Sequence, residues 1–312
     1  HAGAYYVQEA SSMILDDVIH QLKLDDQPRI WLDACASPGG KTGILAKHLG
    51  PGDVLIANEV VGQRRSILRE NLTRAGFLNT FISGEPASSF TEPFVDIMLI
   101  DAPCAGEGMM RKEPEAIRQW SPTLVQSCSL MQKQIVSDAV NALKTDGFLI
   151  YSTCSYSMEE NLQNVAYFSE KHQLQCVPLS FPDDWGISTL KQGDHVGYQL
   201  YPHRVKGEGL FIAVLQNTST EEPKYRKAKK PFNLFEPIPV WMASHLAEPE
   251  TKRVRKNNPQ NQFLTAAAEA KANEVLMNIP RAECLAEAGE LKGRDFVPSH
   301  FLAMAGVQHG DY

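Results

Sequence analysis

The chain has 312 residues, 43% of them hydrophobic and 21% charged, with a formal net charge of −7. At roughly 150 residues per domain, that length allows two domains or one large one with an appendage, and it is ample for a core without staples. The composition excludes wholesale disorder, no apolar run approaches the ~18 residues that span a bilayer, and the first residues lack the basic and apolar regions of a signal peptide. Taken alone, the negative charge argues against a nucleic-acid partner, because phosphate contacts need Lys and Arg. Cysteines stand at 35, 104, 128, 154, 176 and 284, and no two form a C-x-x-C pair. That pattern predicts neither a zinc site nor a disulfide framework, and it fits a reducing, cytoplasmic setting.

Strand-like and helix-like segments alternate over the first two thirds. Arg29–Cys35 reads as a buried strand, followed by the turn Ser37-Pro38-Gly39-Gly40 and a helix to about Leu49. Val54–Glu59 is a second strand, Gln63–Ala75 a helix and Thr80–Ser83 a third strand. Val95–Asp101 is apolar throughout its middle, as strands buried on both faces are. A long helix is predicted over Pro122–Leu143, a fifth strand over Phe148–Cys154 and a helix over Met158–Lys171. Gly209–Leu215 is a late strand with no helix after it. Such alternation predicts an α/β fold with a doubly wound, mostly parallel sheet, whose ligands bind beyond the carboxyl ends of the strands. Residues 1–217 therefore read as a catalytic domain, 218–260 as a basic linker, and 261–312 as a partial accessory segment that opens on an Ala-rich helix over 261–280.

The segment from Asp33 to Thr42 leaves the first strand and opens a helix. It lacks the G-x-G-x-x-G of a dinucleotide fold. Gly40-Lys41-Thr42 fits the end of a phosphate-binding loop, but Cys35 stands where its first Gly belongs and Pro38 intrudes. The third reading is a small-residue turn that brings a nucleoside cofactor against amides at a helix N-terminus, a geometry that suits the carboxylate of a methionine moiety. Glu59, ending the second strand, is placed to accept from ribose hydroxyls, although it could equally cap the next helix. Glu85, after the third strand, is a weaker candidate for the adenine side.

Cys104 follows the fourth strand in Asp101-Ala102-Pro103-Cys104-Ala105-Gly106-Glu107-Gly108, and Cys154 closes the fifth in Ser152-Thr153-Cys154. A buried structural thiol is the default for any one cysteine. Two thiols at neighbouring strand ends, beside a nucleoside pocket, suit methylation at carbon 5 of a pyrimidine. A thiolate adds to carbon 6 and makes carbon 5 nucleophilic; after methyl transfer the adduct must lose a proton and expel the enzyme. An acid near ring nitrogen 3 would stabilise the adduct, and Asp101 is placed for that.

These segments resemble the cofactor loop, the D-A-P-C-[SA]-G-x-G motif and the S-T-C motif of the Sun-type (NSUN) RNA cytosine-C5 methyltransferases, above all the bacterial 16S ribosomal RNA forms. Tyr6–Met13, Arg111–Pro114, Trp120-Ser121-Pro122 and Tyr201–Ala213 agree as well. The resemblance is strong over about residues 4–216 and weak at Phe296–His300. It implies a Rossmann-like fold and S-adenosylmethionine as methyl donor. It implies Cys154 as nucleophile and Cys104 as the residue assisting release. It also implies cofactor contacts at Cys35, Ala36, Ser37, Pro38, Gly39, Gly40, Lys41, Glu59, Glu85 and Asp101. The family usually has Asp where this chain has Glu85, carries an RNA-binding extension before the position of Tyr5, and ends in a complete PUA-like domain. DNA cytosine methyltransferases use the P-C cysteine as nucleophile, which would exchange the two roles.

The target base must leave any stack to reach a thiolate. Arg111 and Lys112 after one cysteine loop, and His203, Arg204 and Lys206 in a second patch, are the candidates for holding RNA. Arg64, Arg65 and Arg69 share a predicted helix and read as a solvated face. Lys224–Lys256 holds nine Lys or Arg against three Glu, a net +6, which leaves the rest of the chain near −13. The expectation is a monomeric enzyme without metal that methylates carbon 5 of a cytosine in RNA, most simply ribosomal RNA. The rivals are the same chemistry on tRNA or DNA, a P-loop NTPase, and an RNA-binding protein without turnover.

Overall fold

The computed structural model describes residues 5–77, 79–220, 236–237, 253–257, 262–266, 269–285, 287–292 and 295–298. The elements up to residue 217 are, in order, α1 (Ile14–Gln21), β1 (Ile30–Asp33), α2 (Gly40–Lys47), β2 (Val54–Asn58), α3 (Gly62–Ala75), β3 (Thr80–Ser83), β4 (Val95–Asp101), α4 (Pro114–Gln119), α5 (Pro122–Ala139), β5 (Leu143–Thr153), α6 (Leu162–His172), β6 (Leu174–Cys176), β7 (Ser188–Gln192), β8 (His195–Leu200) and β9 (Leu210–Asn217). After these come β10 (Glu236–Pro237), β11 (Arg253–Asn257), β12 (Gln262–Ala266), α7 (Glu269–Asn278), β13 (Glu283–Cys284), β14 (Glu287–Lys292) and β15 (Asp295–Pro298).

The main sheet runs β13-β3-β2-β1-β4-β5-β9-β8-β7, with β6 also pairing β9. β3, β2, β1, β4 and β5 are parallel, and β9 returns antiparallel to β5. This is the doubly wound, Rossmann-like arrangement that the strand–helix alternation predicts. Successive side chains on a strand point to opposite faces. Ile30 and Leu32 therefore pack with Leu68 and Leu72 of α3, Val136 of α5 and Phe168 of α6. Trp31, between them, packs with Val18 and Ile19 of α1 and with Leu45 of α2 on the other face. With helices on both faces the central strands are covered twice, which is why they read as continuous apolar runs.

Local signals set several boundaries. Ser121 caps α5, its Oγ accepting from Leu124 N at 3.1 Å, and Pro122 takes the first helical turn, where its missing N–H costs nothing. α3 stops at Gly76, whose left-handed backbone closes the helix. Strand order reverses between β1 and β4, and their carboxyl ends open the crevice where α/β sheets hold ligands. Ala34 N donates to Leu99 O at 2.9 Å across that switch point.

Several expectations are corrected. The helix predicted to Leu143 ends at Ala139, and Leu143 already belongs to β5, whose register against β4 shifts between Val95↔Leu143 and Ile97↔Phe148. The helix predicted from Met158 starts at Leu162. Cys284, which the sequence left unplaced, lies in β13 against Phe81 on the edge of the main sheet. The predicted linker contains β10 and β11, and the predicted Ala-rich helix contains β12; these join a second sheet, β10-β11-β12-β14-β15. Most of Lys224–Lys256 lies outside the described residues. No helix among the described residues is long and apolar enough to cross a membrane.

Candidate active site

The β1–α2 turn is tied at both ends by buried polar groups. Asp33 accepts from Thr42 Oγ1 at 2.7 Å and from Cys35 N at 3.3 Å. Its carboxyl is fully buried, and burial first, with the nearby Asp101 charge, pushes its pKa up to about 7. Ala36 N donates to Asn58 O at 2.9 Å, and Asn71 Nδ2 to Pro38 O at 2.8 Å. Gly39 has φ +111°, and a Cβ there would meet Leu68 at 3.2 Å, so the turn needs glycine for both conformation and space. Tyr6 and Gln8 of the N-terminal segment lie against Gly40. Burial and the charges of Asp33, Asp101 and Glu59 raise the Cys35 thiol, which is therefore neutral.

A phosphate-binding role does not fit this loop. Lys41 Nζ donates to Asp101 Oδ2 at 2.8 Å, and the Thr42 hydroxyl is spent on Asp33, so neither faces outward. Burial works to lower the Lys41 pKa, but the Asp101 charge and hydrogen bond prevail and raise it. Asp101 is also held by Ser152 Oγ at 2.7 Å.

Glu59 is 4% exposed, accepts from Val61 N at 2.9 Å and pairs with Arg64 at 3.3 Å. The structure shows the capping reading of Glu59: one oxygen serves the backbone before α3, the other an arginine. Beside it, Asn58 Oδ1 is buried with no hydrogen-bond partner. Glu85 stands farther out, 3.9 Å from Arg281, with its own N bonded to Ser83 Oγ. Arg64, Arg65 and Arg69 lie on a solvent-accessible face of α3, as expected, and each is also tethered. Arg64 pairs with Glu59, Arg65 donates to Glu59 O at 2.9 Å, and Arg69 pairs with Glu283 at 2.6 Å.

Adjacent strand ends bring the two motif cysteines together. Asp101 of β4 is opposite Ser152 of β5, and Cys104 Sγ lies 2.9 Å from Cys154 Sγ. The pair is polarised. The hydrogen bond from Cys104 first, aided by the Lys41 charge, holds the Cys154 thiol below its ordinary range against burial and Asp101. The same hydrogen bond, together with burial, pushes Cys104 well up. Gly108 N donates to Cys154 O at 2.7 Å, and a Cβ on Gly108 would meet that carbonyl at 3.0 Å. Cys128 is buried, and Cys176, half-buried, packs against the core.

Two buried carboxylates, which sequence reasoning had not singled out, surround the thiols. Glu107 accepts from Trp120 Nε1, Ser157 Oγ, Ser155 Oγ and Tyr156 N, and those donors lower its pKa against the effect of burial. Glu160 accepts from Ala105 N and Gln132 Nε2, and burial raises its pKa. Glu107 was visible only as a polar residue between two motif glycines, and Glu160 reads as an ordinary acidic residue ahead of a helix.

The basic candidates converge on one turn. Arg111 donates to Gly207 O at 3.2 Å, and Lys112 pairs with Glu208. His203 stacks on Tyr201 with ring centroids 5.5 Å apart, and Arg204 donates to Ser188 Oγ. Lys206 lines a cavity of about 480 Å³ with Trp185, Met13 and His20. Glu9 accepts from Glu208 N, which ties the N-terminal motif to the same turn. Among the described residues, Asp16, His20 and His48 stand close enough to share a cation, and Asp16 already pairs with His48 at 2.8 Å.

A family model for the 16S rRNA methyltransferase RsmB/F matches residues 19–216. The ribosomal RNA small subunit methyltransferase F of Erwinia tasmaniensis is 33% identical over 239 residues, covering 74% of this chain and 49% of its own. That of Aliivibrio fischeri is 35% identical over 238 residues, covering 74% and 50%. The chain thus spans about half the length of the curated relatives it matches. Among solved structures, NSun6 from Pyrococcus horikoshii with SFG has a TM-score of 0.60 at 27% identity, covering 70% of this chain and 54% of that one. A methyltransferase homolog protein from the same organism has a TM-score of 0.54 at 30% identity, covering 69% of each. The match over residues 19–216 spans both cysteine loops and the β1–α2 turn, and the chain belongs to the 16S rRNA methyltransferase RsmB/F family.

Proposed function

We propose that this chain transfers a methyl group from S-adenosylmethionine to carbon 5 of a cytosine in RNA, with ribosomal RNA of the small subunit as the substrate class. The observation that carries this reading is the polarised thiol pair, 2.9 Å apart at the ends of β4 and β5, beside the crevice at the switch point. The residues around the crevice suit that cofactor. The carboxylates of Asp101 and Glu59 complement a cationic sulfonium, an amino group and ribose hydroxyls. Amides at the start of α2 suit the methionine carboxylate. Cys35 to Lys41, Glu59, Glu85 and Asp101 would hold the cofactor, which supplies an electrophilic methyl.

The chain's own residues supply the rest. Cys154, the more easily ionised thiol, adds to carbon 6 of the cytosine and leaves carbon 5 electron-rich. An acid at ring nitrogen 3 stabilises that adduct, and Asp101, which Lys41 keeps in place, is the group assigned to it. After methyl transfer the carbon-5 proton passes to water, its bonding pair forms the carbon 5–carbon 6 double bond, and the Cys154–carbon 6 bond breaks with its electron pair returning to Cys154. Cys104, held neutral, is the group beside that bond when it breaks. Arg111, Lys112, His203, Arg204 and Lys206 border the 201–208 turn on which flanking phosphates would rest.

Incubation with labelled cofactor and small-subunit ribosomal RNA should yield 5-methylcytosine; methylated adenine or methylated protein as the only product would overturn the reading. Cys104→Ala should accumulate an RNA adduct that survives denaturation, and Cys154→Ala should form none. The reverse pattern would exchange the two roles.

A further inference from the structure

Each cysteine segment is braced by a carboxylate from the other. Glu107, which follows Cys104, reaches the stretch after Cys154: it accepts from Ser155 Oγ at 3.0 Å, from Ser157 Oγ at 2.8 Å and from Tyr156 N. Glu160, which follows Cys154, reaches back to the Cys104 loop and accepts from Ala105 N at 3.1 Å. Gln132, bonded to Glu160 at 2.6 Å, donates also to Pro103 O at 2.8 Å, so the peptide groups on both sides of Cys104 are held.

Hydrogen-bond counting then places a proton. Ser155 Oγ lies 3.0 Å from Glu107 Oε2 and 2.8 Å from Glu160 Oε1, and it accepts from Ser157 N at 3.1 Å. A hydroxyl has one hydrogen and two acceptor sites. It satisfies only one of the two carboxylates as a donor, so the other must donate to it. Both carboxylates receive fixed N–H donors. Those of Glu107 fall on separate oxygens, Trp120 Nε1–H on Oε1 and Tyr156 N–H on Oε2, with Ser157 Oγ beside them. Those of Glu160 converge on Oε2, from Ala105 N at 3.1 Å and Gln132 Nε2 at 2.6 Å, and only a longer 3.3 Å contact from Ala105 N reaches Oε1. Glu107, donated to on both oxygens, is therefore assigned as the ionised member, and Glu160, whose Oε1 is the freer to donate to Ser155, as the neutral one.

We propose that Glu107 and Glu160 are positioning residues for the thiol pair, linked through Ser155, with Glu107 ionised and Glu160 carrying a proton. Their task is to hold Cys104 Sγ and Cys154 Sγ in hydrogen-bond contact, and only the consequence for turnover rests on the methyltransferase reading above. The two residues then answer differently to the same substitution. Glu160→Gln keeps a donor toward Ser155 and an acceptor toward Ala105 and Gln132. Glu107→Gln must turn its amide toward Tyr156 N–H or Trp120 N–H, donor against donor, whichever way it is placed.

The test is the rate of alkylation of Cys154 from about pH 6 to 10, read by mass spectrometry at that residue without RNA or cofactor, with single-turnover methyl transfer measured alongside. Glu107→Gln and Glu160→Ala should each slow methyl transfer by about 100-fold, the scale of a 1 Å misplacement of reacting groups, and should slow Cys154 alkylation at neutral pH, because the thiol loses the contact that lowers it. Glu160→Gln should recover most of the loss seen in Glu160→Ala. The idea is overturned if Glu160→Gln is as defective as Glu160→Ala, or if Glu107→Gln matches the parent. It is equally overturned if turnover falls while the Cys154 profile stays put. Should Glu107→Gln not fold, Ser155→Ala removes the shared hydroxyl alone and must give the same thiol defect. A parent protein with the expected thiol profile but no RNA methylation would count against the proposed function and leave this bracing intact.

Discussion

Asp33 offers a test of the site's electrostatics that needs no substrate. Its carboxyl is buried under the β1–α2 turn, and burial raises its pKa from 3.8 to about 7. Between those values the folded protein holds a proton that the unfolded chain has released. Stability from this group is then fully present below about pH 4 and is lost as pH rises through 7. Three pH units at ~1.4 kcal/mol each amount to about 4 kcal/mol, which for a protein of ordinary stability is a large share. Asp33→Asn stays neutral throughout. Its amide can still meet Thr42 Oγ1, because that hydroxyl also lies 3.3 Å from Ala36 O and can donate there instead. Any fixed cost of the substitution cancels in the comparison across pH. Urea unfolding of both proteins at pH 5 and pH 8 should show the Asn variant gaining about 2–3 kcal/mol on the parent between the two. Parallel stability profiles would refute the claim that Asp33 ionises inside the fold, and a variant that loses ground at pH 8 would refute its sign.

Other perturbations reach the thiols and the frame. Lys41→Met removes the cation near Cys154 and leaves Asp101 without its partner; Cys154 should alkylate more slowly at neutral pH, and the melting temperature should fall by an amount equivalent to about 2 kcal/mol. Gly108→Ala sets a methyl against the Cys154 carbonyl and Cβ, so methyl transfer should drop by about 100-fold while cofactor affinity by calorimetry holds. Ser121→Ala removes the cap of α5 and should cost about 1 kcal/mol in urea unfolding with no effect on thiol reactivity.

The parallel strands were legible because burial on both faces leaves no room for polar residues. Val95–Asp101 and Thr80–Ser83 are found at the bounds expected of them. Legibility failed where a strand has an exposed end. β5 begins at Leu143, read from sequence as the end of a helix, and passes through the polar Lys144, Thr145 and Asp146, where Lys144 pairs with Asp96 at 3.1 Å along the edge of β4. The segment Gln262–Ala266 shows the reverse error: its Ala-rich context reads as helix, but pairing with Arg253–Asn257 draws it into a sheet, and tertiary pairing overrides propensity. In the site, the cysteines were readable from their motifs. Glu107 and Glu160 were not, because nothing in chain order shows that residue 107 meets 155–157 or that 160 meets 105.

Two thiols 2.9 Å apart meet the same difficulty as two carboxylates on one hydroxyl: both members cannot ionise, so the surroundings decide which one does. In the carboxylate pair the decision falls to fixed N–H donors, which reach both oxygens of Glu107 but converge on one of Glu160. In the thiol pair it falls first to the Cys104 hydrogen bond, which the Cys154 thiolate accepts, and then to Lys41, whose charge also lowers Cys154 while Asp101 works against it. Lys41 can play that part because Asp101 anchors it, and Asp101 is anchored in turn by Ser152, two residues before Cys154. The choice between the thiols is thus shared between the Cys104 loop, which supplies the donor, and the β1–α2 turn, which supplies the cation. An exchange of the two cysteine roles would have to reverse that hydrogen bond as well as move the cation. That is the physical argument for Cys154 as the proposed attacking group, and it makes loss of the Cys104 donor, more than Lys41→Met, the change that should raise the Cys154 thiol most.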